Sequence, residues 1–318
     1  MSGAPDPFRG PAEELALAVA GDDDARFILA FQTFLNQARS LADADDPALL
    51  TKSMLRRGAA EVRAAPRSRS REENGLYGDR TYLRNARAMA ANRKRIVGGT
   101  RTSGFPDCVA VGSTREWCCS GTLVAPNVVL TAAHCVGQGC GKRVFFGDDV
   151  EFPDEGEVVG VRSAVVAPQY ASSTGFGDIA VLVLDESVDV APRKIARPGA
   201  LDDATFVRVA GYGNTDVQGK RGYGIRRQVD VPLAGTSEEY GADFATEFVA
   251  GAPFLDLDSC SGDSGGPAYV SVDGEWLLAG ATSRAIGGKR VRRCGDGGVY
   301  TRVCEYEDWI RSVPGGKW

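Results

Sequence analysis

Residues Asp258-Ser259-Cys260-Ser261-Gly262-Asp263-Ser264-Gly265-Gly266-Pro267 set a serine among glycines, with an aspartate directly before it. Glycine has no Cβ, so the backbone there can turn sharply and let a bound group come close. Successive N–H groups in such a turn can converge on one point and hold a developing oxyanion. A serine hydroxyl is a weak nucleophile until a base takes its proton. The chain has one histidine, His134, in Thr131-Ala132-Ala133-His134-Cys135. A lone histidine is more often structural, but paired with Ser264 its imidazole can serve as that general base. The base in turn needs a carboxylate to fix its tautomer. Asp178, in Gly177-Asp178-Ile179-Ala180-Val181-Leu182, is the candidate. Taken alone, Asp178 reads as an Asx turn opening a buried strand.

These residues must be held by elements of two kinds. Beyond residue 95 come short β-type runs such as Val128-Val129-Leu130, Ile179–Leu184 and Phe206-Val207-Arg208-Val209, separated by Gly- and Asp-rich turns. Their spacing is that of an all-β barrel or sandwich, and 40 glycines suit so many turns. The first 95 residues read differently. Asp24 to Ala42 places Phe27, Phe31, Phe34, Leu35, Ala38 and Leu41 at helical spacing. Shorter helices are expected after Pro11 and after Asp46-Pro47. A last one, from Asp79 to about Ala91, puts Tyr82, Leu83, Ala86 and Met89 on one side. Pro66 to Arg71 is an exposed linker. The stretch from Lys52 to Arg95 is a basic arm suited to an acidic surface, such as the acidic remainder of this chain. Glu72, Glu73 and Asp79 interrupt it and no recognition motif accompanies it, so nucleic acid is not the expected partner.

The whole chain carries a net charge of −5 and no run near the ~20 apolar residues of a membrane span. All eight cysteines, Cys108, Cys118, Cys119, Cys135, Cys140, Cys260, Cys294 and Cys304, lie beyond residue 95. An even count in one segment indicates disulfides and an oxidising compartment, extracellular or periplasmic; buried free thiols are the alternative. The N-terminus, with only Leu15–Ala20 apolar between acids, lacks the pattern of a Sec signal. The two signals point in opposite directions.

The pieces Arg95-Ile96-Val97-Gly98-Gly99, Thr131–Cys135, Asp178–Leu182 and Gly262–Pro267 stand in the order found in trypsin-like, chymotrypsin-fold serine proteases. Gly211-Tyr212-Gly213-Asn214-Thr215 and Gly298-Val299-Tyr300-Thr301-Arg302-Val303 add to the resemblance. It covers residues 96–318 and leaves 1–95 as a helical prodomain or adaptor. It implies a mainly β fold of two six-stranded antiparallel barrels with the site between them. His134 would be the base, Asp178 its orienting carboxylate and Ser264 the nucleophile. The N–H groups of Gly262 and Ser264 would form the oxyanion hole. Neither cofactor nor metal is implied. Gly147 to Glu157 resembles the calcium loop of some relatives, but with its acids out of register.

The resemblance also assigns Asp258 to the floor of the primary pocket, Gly298 to its wall and Ser283 to the substrate-binding strand. A carboxylate there favours Arg or Lys before the cut; internal neutralisation by Arg292 or Arg293 is the alternative. Arg95-Ile96 resembles the family's activation site, where the freed Ile96 amine would pair with Asp263. Self-activation and an activating protease are both compatible with it. The pairs Cys119–Cys135 and Cys260–Cys294 follow the family; Cys108, Cys118, Cys140 and Cys304 allow three connectivities. Arg284 and Ala285 replace the family's Trp-Gly, removing an aromatic floor and narrowing the pocket entrance. Lys289, Arg290, Arg292 and Arg293 beside them could favour acidic substrate residues or simply be solvated. The expected function is a zymogen of a serine endopeptidase acting on protein or peptide substrates. The alternatives are a catalytically silent protease fold that binds partners, and a protease recruited to a complex by its first 95 residues.

Overall fold

A computed structural model describes residues 79–91, 99–215, 222–251, 258–287 and 294–318 of the chain. The expected helices before residue 79, the Arg95-Ile96 junction and the cations from Lys289 to Arg293 lie outside the described residues. Helix α1 (Arg80–Ala91) comes first, and β1 (Thr100–Arg101) follows. Strands β2 (Cys108–Gly112), β3 (Trp117–Ala125), β4 (Val128–Thr131), β5 (Arg143–Phe146), β6 (Glu157–Val166) and β7 (Ala180–Leu184) close into a barrel in the order β2-β3-β4-β7-β6-β5. The short helix α2 (Ala133–Gly137) leaves the end of β4.

The second half contains β8 (Phe206–Gly211), β9 (Arg227–Pro232), β10 (Glu247–Ala250), β11 (Pro267–Val272), β12 (Glu275–Ala285) and β13 (Gly298–Arg302). With β1 added at one edge, they form a sheet ordered β1-β9-β8-β11-β12-β13-β10. A bridge between Leu233 and Ala250 draws the far edges together. The chain then ends on α3 (Glu307–Ser312). The mainly β, double-barrel expectation holds. Among the described residues no helix is long and apolar enough to cross a membrane.

Strand alternation explains why the central runs are apolar without a break. Side chains of β7 point to opposite faces in turn. Leu182 and Leu184 join Val109, Val111, Leu123, Val129 and Val144 inside the closed barrel. Val181 and Val183 instead join Ala110, Leu130, Tyr212, Tyr269 and Ile310, a cluster shared by both halves. Both faces of β7 are thus buried, and all five of its residues are solvent-shielded. Polar ties cross the same seam. Asp107 accepts hydrogen bonds from Arg193 Nε at 3.0 Å and from Tyr269 Oη at 2.7 Å. Arg226 Nη1 donates to the Cys108 carbonyl at 3.0 Å and pairs with Asp148. The latter contact occupies one of the acids of the Gly147–Glu157 loop.

Three disulfides are formed: Cys118–Cys140, Cys119–Cys135 and Cys260–Cys294. The two family-type pairs are present, and the open connectivity resolves with Cys108 and Cys304 as free thiols. Burial pushes the Cys108 thiol well above its ordinary pKa.

Candidate active site

His134 sits in the first turn of α2, whose preceding residue, Ala132, has no side chain able to cap it. Orphan N–H groups at a helix start need acceptors. Asp178 supplies one from just before β7, the strand paired with β4: its Oδ1 accepts from the His134 backbone N–H at 3.0 Å. Its Oδ2 meets His134 Nδ1 at 2.7 Å and Ser283 Oγ, which donates at 2.7 Å. One carboxylate therefore fixes the helix end and the imidazole together. Placing the proton on Nδ1 leaves the Nε2 lone pair free to take a proton. The side chain of Asp178 is 2% exposed and that of His134 23%, so the carboxylate is dry while part of the imidazole reaches solvent.

Ser283 reaches Asp178 because β12 bulges against β13 between Thr282 and Arg284. A bulge adds one residue and re-aims its side chain. Thr301 of β13 completes the support, donating its hydroxyl to the Asp178 carbonyl at 3.1 Å.

Ser264 arrives on the loop before β11. Its carbonyl accepts from Ser120 N–H at 2.9 Å, and the next residue, Gly265, donates to the Thr282 carbonyl at 2.7 Å. Gly265 has φ +77°, and a Cβ there would lie 2.4 Å from the Ala132 nitrogen. Only glycine lets this loop come so close to the start of α2. The Cys135 sulfur touches both sides, 3.8 Å from His134 Nε2 and 3.7 Å from the Ser264 carbonyl. Cys119, Cys135 and His134 cluster tightly enough for a metal, but the two sulfurs are bonded to each other and offer no thiolate. Gly262 takes φ +100°, and Ser120 Oγ anchors its carbonyl at 2.8 Å. Among the described residues neither Gly262 N–H nor Ser264 N–H donates a hydrogen bond.

Asp258 lies beside Gly298. A Cβ on Gly298 would stand 2.8 Å from its carboxylate oxygen, so a larger residue there would cover the acid. Oδ1 accepts from Ser259 N–H at 2.7 Å, Ser259 Oγ at 3.1 Å and Tyr300 Oη at 3.2 Å. Desolvation outweighs these donors and raises its pKa to about 7. Asp263, directly before Ser264, accepts from Gly213 N–H at 2.7 Å and Cys260 N–H at 2.8 Å. Burial raises it to about 6. Any side chain at Gly211 or Gly213 would collide with this carboxylate, which explains the Gly-Tyr-Gly run. Among the described residues, no cation pairs with Asp258 or Asp263. A cleft lined by Gly99, Gly211, Gly213, Asp258 and Asp263 opens beside them.

Arg284 does not stand free at the cleft. Its Nη1 and Nη2 bind Glu247 at 2.6 and 2.9 Å, and Glu247 is fully buried. The guanidinium also donates to the carbonyls of Gly175 and Gly241 and lies 5.4 Å from the centre of the Phe176 ring. Sequence reasoning missed Glu247, Phe176, Ser120 and Tyr300. Only Tyr300 carried a signal, its place two residues after Gly298; the others come from distant segments.

The family model for trypsin matches residues 96–310. A trypsin of Saccharopolyspora erythraea is 35% identical over 227 residues, spanning 67% of this chain and 95% of that protein. The human chymotrypsin-like elastase family member 1 is 30% identical over 253 residues, spanning 73% of this chain and 97% of that protein. The chain belongs to the trypsin family of serine proteases and is a serine endopeptidase.

Proposed function

We infer that residues 96–318 form the catalytic domain of an endopeptidase that cuts after arginine or lysine, with residues 1–95 as its prodomain. Ser264 is the nucleophile, His134 the general base and Asp178 the carboxylate that orients the base. His134 Nε2 takes the Ser264 hydroxyl proton as Oγ attacks the scissile carbonyl. The negative charge that develops on the carbonyl oxygen is met by the N–H groups of Gly262 and Ser264. His134 then gives the proton to the leaving amine as the C–N bond breaks. Water repeats the sequence on the acyl-enzyme, releasing the acid and restoring Ser264.

The observation that carries this reading is the pair of enclosed carboxylates, Asp258 and Asp263, with no described cation against either. An unpaired buried charge is costly, so each is suited to a cation that arrives later. At Asp258 the cation is the substrate's arginine or lysine. At Asp263 it is the α-amine that a cut at Arg95-Ile96 would create. The cleft beside Asp263 also touches Gly99. The residues from Ile96 to Gly99 span up to roughly 10 Å at ~3.3–3.6 Å per residue, enough to carry the new terminus inward. Pairing there would hold the Gly262 N–H where the oxyanion forms.

The test is a peptide-library cleavage profile of protein cut at Arg95, run beside Ser264→Ala. Cleavage after Arg and Lys that vanishes in Ser264→Ala is the expected result. Cleavage confined to small apolar residues would overturn the specificity assignment, and full activity before any cut would overturn the zymogen assignment.

A further inference from the structure

Helix α1 precedes the proposed activation cut, yet it is built into the protease. Tyr82, Leu83, Asn85 and Ala86 are buried, while Arg84 between them is exposed. The helix lies against β8 and β9. Asn85 Nδ2 donates to the Leu233 carbonyl at 3.0 Å within this buried contact. Asp79, just before the helix, caps it by accepting from Tyr82 N–H at 2.9 Å. The same carboxylate accepts from Gly235 N–H at 2.7 Å and from Tyr240 Oη at 2.5 Å. On the other side of the junction, β1 pairs with β9, Thr100 opposite Gln228 and Arg101 opposite Arg227. The chain is therefore anchored on β9 both before and after residues 92–99.

The contacts of α1 continue toward the cleft. The Tyr240 carbonyl accepts from Gly287 N–H at 2.8 Å, and Tyr240 packs with Ile286, Val249 and Val299. The neighbouring Gly241 carbonyl accepts from Arg284 Nη2 at 2.8 Å. Asp79 thus braces a segment that holds Arg284, Ile286 and Gly287, which directly follow Ser283.

We propose that residues 79–91 remain on the enzyme after activation as a non-covalent light chain that supports the substrate cleft through Tyr240. Residues 1–107 contain no cysteine, so none of them can form a disulfide that tethers the segment once the chain is cut. Buried side chains and hydrogen bonds alone must keep it in place. The proposal rests on the Arg95-Ile96 cut only for when the segment becomes a separate chain.

The test uses the full chain with an enteropeptidase recognition sequence in place of residues 92–95, so that the cut before Ile96 is set by design. After cutting, size exclusion and native mass spectrometry should find the N-terminal fragment, which carries residues 79–91, with the catalytic fragment, separating only in denaturant. Leu83→Glu combined with Asn85→Ala should release the fragment after the cut. The released enzyme should show a KM for extended peptides raised several-fold, with kcat nearly unchanged, and a free 79–91 peptide should restore it. If the double variant fails to fold, cut wild-type enzyme stripped of the fragment in mild denaturant and returned to buffer gives the same comparison. Dissociation of the fragment from the cut wild-type enzyme in native buffer would overturn the proposal. Release without a change in KM, or with a change the peptide does not reverse, would overturn the role of Tyr240. Activity that appears without the cut would count against the zymogen reading and leave the retention result to stand by itself.

Discussion

The two halves of the molecule hold their buried acids in different ways. On the His134 side, Asp178 has three donors within 3.0 Å and its imidazole partner is already in place. On the Ser264 side, the donors to Asp258 and Asp263 among the described residues are all neutral, and burial lifts the pKa values of the two acids to about 7 and about 6. That half does not lack arginines. Arg208 binds Asp230 across β8 and β9 at 2.6 and 2.8 Å, and Arg284 clamps Glu247. The buried acids Asp230 and Glu247 are each accompanied by an arginine. At the two acids that precede Ser264, our account has the cation come from elsewhere: the substrate at one, the new N-terminus at the other.

The most severe way to break this comparison is to remove the proposed nucleophile. Ser264→Ala should lower kcat by about 10⁶-fold, as loss of a triad serine does, without changing the fold. Reaction with a fluorophosphonate probe should be lost in the variant and retained in the cut wild type. Asp258→Ser should come next. Losing one partner of a buried charge pair costs about 2–5 kcal/mol, or roughly 30- to 5,000-fold in kcat/KM for arginine substrates. Arg95→Gln should prevent processing and leave peptidase activity at least about 10²-fold below that of cut wild type, since a buried pair broken at one partner costs about 3–5 kcal/mol. Circular dichroism should show the variant folded. The smallest effect is one of pH. Asp258 must be ionised to hold a cation, so KM for an arginine peptide should fall as pH rises toward about 7 and level off above it. Below that point the ionised fraction drops about tenfold per pH unit. A KM flat from pH 5 to 8 would remove Asp258 from the pocket floor.

Much of this was legible because it is local. The Gly-Asp-Ser-Gly-Gly loop, the apolar run of β7 and the helix from Asp79 each announce themselves within ten or so residues. Asp178 and His134 stand 44 positions apart, and the motifs around each were needed to join them. Arg284 shows where local reading fails. Its sequence neighbours are Ser283 and Ala285, which suggests a bare cation at the cleft. Its real partner, Glu247, lies 37 positions away on β10, and β13 runs between β10 and β12 in the sheet. Phe176, from the loop before Asp178, also faces the guanidinium, so an aromatic ring is present there from another segment. Neither contact follows from spacing. The same is true of Ser120, whose hydroxyl and N–H hold the Gly262 and Ser264 carbonyls from the opposite barrel.

The central claim is that Asp263 awaits a cation, and pH linkage tests it directly. In the uncut protein Asp263 keeps its proton up to about pH 6, whereas the unfolded chain loses it near 3.8. The native state then binds more protons, so its contribution to stability is full below pH 4 and is lost as pH rises through about 6. Once paired with the Ile96 amine, the carboxylate would be favoured in its charged form, and the sign would reverse: stability present at neutral pH and lost on acidification. The measurement is denaturant unfolding of Ser264→Ala, uncut and cut before Ile96, from pH 4 to 7. The account predicts that the difference in stability, cut minus uncut, grows with pH across that range. A difference that stays constant would contradict it.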